Sequence, residues 1–365
     1  NNRIILILKL SKFMKKSELY TLPDVPPLLN SILGTKLRNK LDNKTKPIGA
    51  LGRLEDLALR IGLILGNENP ELIKPQMLVC AADHGLTAEG ISAYPSDVTW
   101  QMVENFLAGG AAVSVLSKQN NISLNVVDCG VRHDFEPREG LLIQKVSKGT
   151  ENALQGPAMS NEECQQAIKN GMGIVRGLEG NAVLIGEMGI GNSSAAAMLL
   201  ARLTDSDISS CTGSGTGMFG SNLKKKTSIL EKVLEKHKDA KNPLAALAAF
   251  GGFEIATMAG AVIQSASEGR VIVVDGFIAS SAVLVASRIR SKVLDYCIFS
   301  HRSDEQGHSL MLDAMNAEPL LDLKLRLGEG SGAALAWPLL MSACTILREM
   351  ASFEAAGVSR DDESK

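Results

Sequence analysis

An α/β fold is what this sequence predicts: a parallel, Rossmann-like sheet flanked by helices, with a small helical domain made from both chain ends. Two observations carry it. Short β-rich runs end in small or acidic residues, and each is followed by a helical stretch, the pattern of a parallel sheet covered on both faces. Glycine is also frequent, at 34 of 365 residues, while Phe, Trp and Tyr together make up only 4%. That mix suits many tight strand-to-helix turns and argues against base-stacking platforms.

The strands are read at 76–82, 123–129, 182–186, 270–274 and 294–299. Their helical partners include 96–107, 193–203, 279–288 and 333–350. The stretch 26–66 is helical and amphipathic, with a break at Lys46-Pro47-Ile48-Gly49, and the region after Ala333 is helical too. Residues 26–70 and 335–358 are therefore expected to form the small domain, and 71–334 the large α/β domain with the active site. Residues 1–25 are expected to be a poorly ordered extension. Met14 reads as a natural start, which makes 1–13 an upstream addition, and 359–365 reads as a frayed tail. The charged stretch 224–241 is expected to be a helix with a solvated face. No internal repeat or low-complexity linker is evident.

Hydrophobic residues make up 45% of the chain, enough for a full core, and the formal charge is −2. Nothing in that balance favours nucleic acid or an anionic membrane as partner. The six cysteines, Cys80, Cys129, Cys164, Cys211, Cys297 and Cys344, form no CxxC pair and mostly lie in apolar runs. They read as buried thiols of a reducing compartment, hence the cytoplasm. The five histidines show no HExxH or HxH spacing, so no metal site is expected. No apolar stretch reads as a membrane span. The run 4–10 is short, is interrupted by Lys9 and lacks a small-residue cleavage site, so no signal peptide is expected.

In a parallel sheet, function gathers in the loops beyond the carboxyl ends of the strands. Here those loops read Asp83-His84-Gly85, Asp128-Cys129-Gly130, Glu187-Met188-Gly189-Ile190-Gly191-Asn192, Asp275-Gly276 and Ser300-His301-Arg302-Ser303. The loop 186–194 follows a strand and opens a helix. Its N–H groups and the helix dipole can hold a phosphate, although a plain tight turn has the same pattern. It matches neither the Walker A sequence nor GxGxxG. A valine at Gly191 is expected to take the phosphate's place. Thr212-Gly213-Ser214-Gly215-Thr216-Gly217, with Lys226 downstream, can wrap a phosphate or ribose, or be a flexible surface loop with a solvated lysine. Asp275 can accept ribose hydroxyls or cap a helix. His84 has no GxSxG nucleophile to serve and reads as structural. Tyr94 and Gln101, at the start of a helix, suit a pocket for a flat aromatic ligand, or simply a capped helix. Finally, Leu327-Gly328-Glu329-Gly330-Ser331-Gly332 sets one carboxylate among three glycines at the mouth of an apolar helix. Such a group is placed for proton transfer, or it is a capping Glu in a glycine turn.

Taken together, these segments resemble the nicotinate-nucleotide–dimethylbenzimidazole phosphoribosyltransferases, which prepare the lower ligand of cobalamin. The resemblance runs from Lys46 to Val358. It includes Lys46-Pro47-Ile48-Gly49-Ala50-Leu51-Gly52-Arg53-Leu54-Glu55, Ala82-Asp83-His84-Gly85, Phe106-Leu107-Ala108-Gly109-Gly110-Ala111-Ala112, Gly156-Pro157-Ala158-Met159, 186–192, Gly251-Gly252-Phe253-Glu254-Ile255 and 327–332. Many matches in one order are specific even where each alone is weak. The loop 212–217 matches loosely, and Met218-Phe219-Gly220-Ser221 replaces the commoner acidic continuation.

The resemblance implies a homodimer, with nicotinate mononucleotide and 5,6-dimethylbenzimidazole as substrates and no cofactor. The family's catalytic carboxylate falls on Glu329 and its second active-site acid on Glu187. Gln101, Tyr94 and Met188 become base-binding positions. Gly189, Gly191, Asn192, Ser193, Gly215, Lys226, Asp275 and Ser303 become nucleotide- and phosphate-binding positions. The implied reaction forms α-ribazole 5′-phosphate and nicotinate. It releases no pyrophosphate, so magnesium is not required. The alternative is a non-catalytic or differently specific nucleotide-binding protein of cobamide metabolism, against which intact Glu329 and Glu187 count.

Overall fold

The computed structural model describes residues 21–215 and 217–359. The expected start at Met14, the addition at 1–13 and all but the first residue of the expected tail lie outside them. Residues 21–25, expected to be poorly ordered, are tied down: Arg290 donates to the carbonyls of Leu22 and Pro23 at 3.3 Å each, and Val25 is buried.

One parallel sheet holds β1 Gln76–Ala82, β2 Ser123–Gly130, β3 Leu141–Ile143, β4 Ala182–Met188, β5 Val271–Val274 and β6 Cys297–Phe299. Their order is β3-β2-β1-β4-β5-β6. β1 and β4 are buried along their whole length. Their sequences, QMLVCAA and AVLIGEM, show no polar alternation, as a strand covered on both faces requires. The pair is in register from Gln76 opposite Val183 to Ala81 opposite Met188. The chain builds outward from β1 to β3, then returns to lay β4 on the other side of β1. The order thus reverses between β1 and β4. The crevice beyond their carboxyl ends is the switch point at which such sheets bind ligands.

Among the described residues, the first seven helices are α1 Ser31–Asp42, α2 Arg53–Ile64, α3 Asp97–Leu107, α4 Ala112–Gln119, α5 Asn161–Gly177, α6 Asn192–Thr204 and α7 Ile208–Cys211. They are followed by α8 Ser221–Lys236, α9 Pro243–Phe250, α10 Phe253–Ser267, α11 Phe277–Ile289, α12 Gln306–Ala314, α13 Ser331–Glu349 and α14 Phe353–Ala356. α5 begins with a capping box: Ser160 Oγ accepts the Glu163 N–H at 3.1 Å, and Glu163 Oε2 accepts the Ser160 N–H at 2.8 Å. α10 is buried on nearly every side, and its small residues let it pack closely on α5.

α1 and α2 pack on each other, and α2 packs on α13. The two chain ends are also joined through backbone: Thr45 N–H donates to Ala351 O at 3.0 Å, and Phe353 N–H to Asn43 O at 3.1 Å. α13 reaches the other way too, onto β4 and α4. Contrary to expectation, α13 has the length and mean hydropathy of a membrane span, 1.2 over its apolar window. Its buried side, from Ala333 and Ala334 to Leu347, lies against the sheet and the N-terminal helices, so the apolar character is that of a core helix.

Two local readings differ. The expected strand over 294–299 starts late: Ser291–Tyr296 is a 3₁₀ turn, and only Cys297–Phe299 pairs with β5. There Arg60 draws the Leu294 and Asp295 carbonyls onto its guanidinium, away from the sheet ladder. The charged helix runs Ser221–Lys236 rather than to 241, and one of its lysines is buried, as described below. The six cysteines are all free and buried.

Candidate active site

Glu187 is the penultimate residue of β4, and Asp275 follows β5 directly. Both point to the start of α13. Asp275 Oδ2 accepts the Gly330 N–H at 3.0 Å, and Oδ1 accepts the Gly332 and Ala333 N–H groups at 2.8 and 3.1 Å. The first amides of a helix have no partner within it, so a carboxylate there satisfies them and meets the positive end of the dipole. Asp275 thus caps a helix, but not its own. Its oxygens, expected to serve nucleotide binding, are engaged by backbone.

This cap holds an unusual turn. Gly328, Glu329 and Gly330 have φ of +80°, +66° and +88°. Glycine takes such angles freely, whereas a glutamate is strained there. Tight quarters leave no other choice: a Cβ on Gly328 would lie 2.5 Å from Glu187 Oε1, and one on Gly330 would lie 2.6 Å from Met77 Sδ. The result brings Glu329 and Glu187 together, with the Glu329 N–H 3.5 Å from Glu187 Oε1. The Asn192 side-chain amide donates to Glu187 Oε2.

Both acids are buried, and burial dictates their chemistry. It pushes Glu187 up to about 8, with the charge of Asp275 adding to the effect and the Asn192 hydrogen bond opposing it. Burial, then Asp275, likewise pushes Glu329 up to about 7. A carboxylate of that pKa can collect and release a proton near neutrality.

A second group of residues lies on the side of α6. Lys226 Nζ donates to Ser193 Oγ at 3.2 Å and to Gly213 O at 3.4 Å. A Cβ on Gly215, whose φ is +52°, would lie 2.7 Å from Ser193 Oγ and 3.2 Å from Lys226 Nζ. Ser193, Gly215 and Lys226 therefore converge at the N-terminus of a helix. The expectation of a solvated helix face fails at Lys226, which is 2% exposed. Burial lowers its pKa to about 8, against the pull of Glu305. Ser303 is buried after β6, and a Cβ on Gly276 would lie 3.6 Å from its Cβ, so it stands beside the Asp275–Gly276 turn.

The turn from β4 to α6 carries Met188, Gly189, Gly191 and Asn192, all buried. Gly191 has φ +96°, and a Cβ there would meet Thr87 Cγ2 at 2.7 Å. That side of the turn faces the protein. A valine at this position would strike Thr87, which replaces the expected reason for its harm. The Ile190 N–H donates to Thr99 Oγ1 at 3.1 Å, which ties the turn to α3. Gln101 is exposed two residues further along α3, and Tyr94 is 54% exposed in the loop before it.

Sequence reasoning missed three groups here: Thr99, Glu254 and His308. Glu254 Oε1 lies 2.7 Å from His84 Nε2, and both residues are buried. Burial alone would depress His84, but the paired Glu254 outweighs it and holds the imidazole above its ordinary value. His84 is thus held by a buried carboxylate beneath the Gly189–Gly191 turn. Its partner sits 170 residues away along the chain, beyond any spacing rule. Among the described residues, no group of three or more His, Cys, Asp or Glu side chains is gathered as a metal site would need.

Buried acids at the switch point beside a glycine- and lysine-lined helix start define an α/β enzyme that handles a phosphorylated substrate. The chain matches the DBI_PRT phosphoribosyltransferase family over residues 27–358. The nicotinate-nucleotide–dimethylbenzimidazole phosphoribosyltransferase of Variovorax paradoxus (strain S110) is 64% identical over 342 residues, 94% of this chain and 98% of that protein. The enzyme of the same name from Dechloromonas aromatica (strain RCB) is 54% identical over 336 residues, 90% and 97% of the two chains. The crystal structure of CobT from Thermus thermophilus aligns with a TM-score of 0.87 at 40% identity, covering 90% of this chain and 99% of that one. The chain therefore belongs to this phosphoribosyltransferase family.

Proposed function

We propose that this protein transfers the 5-phosphoribosyl group of nicotinate mononucleotide to 5,6-dimethylbenzimidazole, giving α-ribazole 5′-phosphate and nicotinate. One benzimidazole nitrogen attacks C1′ and nicotinate leaves, with inversion at C1′. The pyridinium already carries positive charge, so its departure needs no acid. The other benzimidazole nitrogen loses its proton, and Glu329 takes it as general base. Positive charge grows on the ribose as the glycosidic bond loosens, and Glu187, when ionised, stabilises it. Asp275 works through its hold on the Glu329 turn and through its charge. Ser193, Gly215, Lys226 and Ser303 hold the phosphate, assisted by the α6 amides. Met188, Gln101 and Tyr94 line the base side. Holding two flat ligands in line supplies much of the remaining acceleration.

The observation that carries this reading is Glu329 itself. A carboxylate with a pKa of about 7, on a backbone of positive φ whose N–H meets a second buried acid, stands at the edge where such sheets bind ligands. Residues 26–70 and 335–358 act as one small helical domain beside the large domain 71–334. The working form is a homodimer in the cytoplasm. Incubation of the purified protein with both substrates, followed by chromatography, is expected to show nicotinate and ribazole phosphate in equal amounts. Nucleotide binding without nicotinate release would overturn the catalytic reading.

A further inference from the structure

His308 has no part in the chemistry above. It lies fully buried on α12, between α11 and the turn that carries Ser303. The Ser303 N–H donates to His308 Nδ1 at 2.8 Å. A ring nitrogen that accepts an N–H carries no proton, so the proton of the neutral ring is on Nε2. Nε2 then donates to Ser280 Oγ on α11 at 3.0 Å. Burial, reinforced by His301 and Arg302, lowers His308 to about 3, so this neutral form holds at any working pH.

The turn itself is short and internally bonded. The Glu305 N–H donates to Ser303 Oγ at 3.4 Å, and the His308 N–H to Glu305 O at 3.0 Å. It also packs on the glycine loop: a Cβ on Gly213 would lie 2.2 Å from Glu305 Oε2. Gly213 is the residue whose carbonyl Lys226 holds. The Ser303 turn, the glycine loop and Lys226 thus form one wall, and His308 is the side chain that joins the turn to α11.

We infer that His308 is a positioning residue for the nucleotide: its Nδ1 acceptor sets the Ser303 turn against the phosphate pocket. The inference rests on the reading that Ser303, Lys226 and Gly215 hold the phosphate. Two variants separate the ring's two hydrogen bonds. His308→Asn places a carbonyl oxygen near the position of Nδ1. His308→Gln places its amide near Nε2 and leaves the Ser303 N–H without an acceptor.

With nicotinate mononucleotide, His308→Gln is expected to raise KM about tenfold, the worth of one good hydrogen bond, while His308→Asn stays within about threefold of the parent. kcat and the KM for dimethylbenzimidazole are expected to hold within about threefold in both variants. With nicotinate riboside, which lacks the phosphate, neither variant is expected to shift KM. Melting curves establish that both are folded. Equal KM changes in the two variants, or a loss confined to kcat, would overturn the inference. Equal KM values of the parent enzyme for nucleotide and riboside would overturn the phosphate reading first, and this inference with it.

Discussion

The carboxylate half of the site and its lysine half share one edge of the sheet but are held by different means. Around Glu329 and Glu187 the restraints are backbone: Asp275 takes three amides at the start of α13, and left-handed glycines flank Glu329. Around Lys226 the restraint is a long side chain resting on a hydroxyl and a carbonyl. Burial acts on both halves with opposite sign, raising the acids to about 7 and 8 and lowering the lysine to about 8. Rigid placement suits a group that must meet a proton at one point in the transition state. A charge at the end of a long side chain suits a group that only needs to meet an anion. Damage to the first half should therefore appear in kcat, and damage to the second in KM.

The sharpest contrast comes from Glu329→Gln. Loss of a general base costs ~10²–10⁴-fold in rate, and nicotinate mononucleotide binding is expected to stay intact. Nicotinate release by chromatography and nucleotide titration by calorimetry measure the two separately. Near-normal turnover would remove Glu329 from the mechanism.

Asp275→Asn tests whether the carboxylate half depends on its anchor. One oxygen becomes a donor facing the Gly330 N–H, and a charged hydrogen bond worth roughly 1.5–3 kcal/mol is lost. A fall in kcat of about tenfold to a hundredfold is expected, with little change in nucleotide KM. The charge that helps to raise Glu329 also disappears, so the acidic limb of the kcat–pH profile should move below about 7. An unmoved limb would show that Asp275 acts by geometry alone.

Lys226→Ala is expected to raise the KM for nicotinate mononucleotide about tenfold and to leave that for dimethylbenzimidazole unchanged. The parent enzyme carries its own control. Lys226 is charged below about 8, so nucleotide affinity should fall as pH rises through that value, and the variant should lack this dependence. A kcat loss without a KM change would erase the distinction between the halves.

The last effect falls on stability and leaves turnover out of the measurement. An acid whose folded pKa is raised binds protons in the folded state that the unfolded state has released. Folding therefore weakens as pH climbs from the ordinary 4.5 of Glu187 toward its folded value of about 8. Glu187→Gln removes that penalty. It should gain on the order of 1–3 kcal/mol over the parent at pH 8, and far less at pH 5, in urea melts. An identical difference at both pH values would mean that the burial of Glu187 is not electrostatically costly.

Much of the framework was legible because its signals are local. A strand buried on both faces must be an apolar run, and β1, β4 and β5 read that way without help from context. β3, three residues at the sheet edge, is too short to stand out from a loop. The start of the expected last strand was lost to Arg60, which lies more than 230 residues upstream of the carbonyls it holds. Glu329 was legible because its dihedral requires flanking glycines, and glycines show in a sequence.

What tertiary structure alone decided is who each polar group answers to. Asp275 finds its amides 55–58 residues further on, and nothing near Asp275 in the chain marks it as the cap of α13. Lys226 stands in a lysine-rich helix that looks solvated throughout, and the packing of α8 against α6, α7 and the glycine loop buries it. His308 belongs to no motif, and its tautomer follows from the amide it meets. A chain encodes its periodicities and its special dihedrals residue by residue, so those can be read in order. Hydrogen-bond partners and shifted pKa values depend on distances in space, and these exist only once the sheet has brought its loops to one edge.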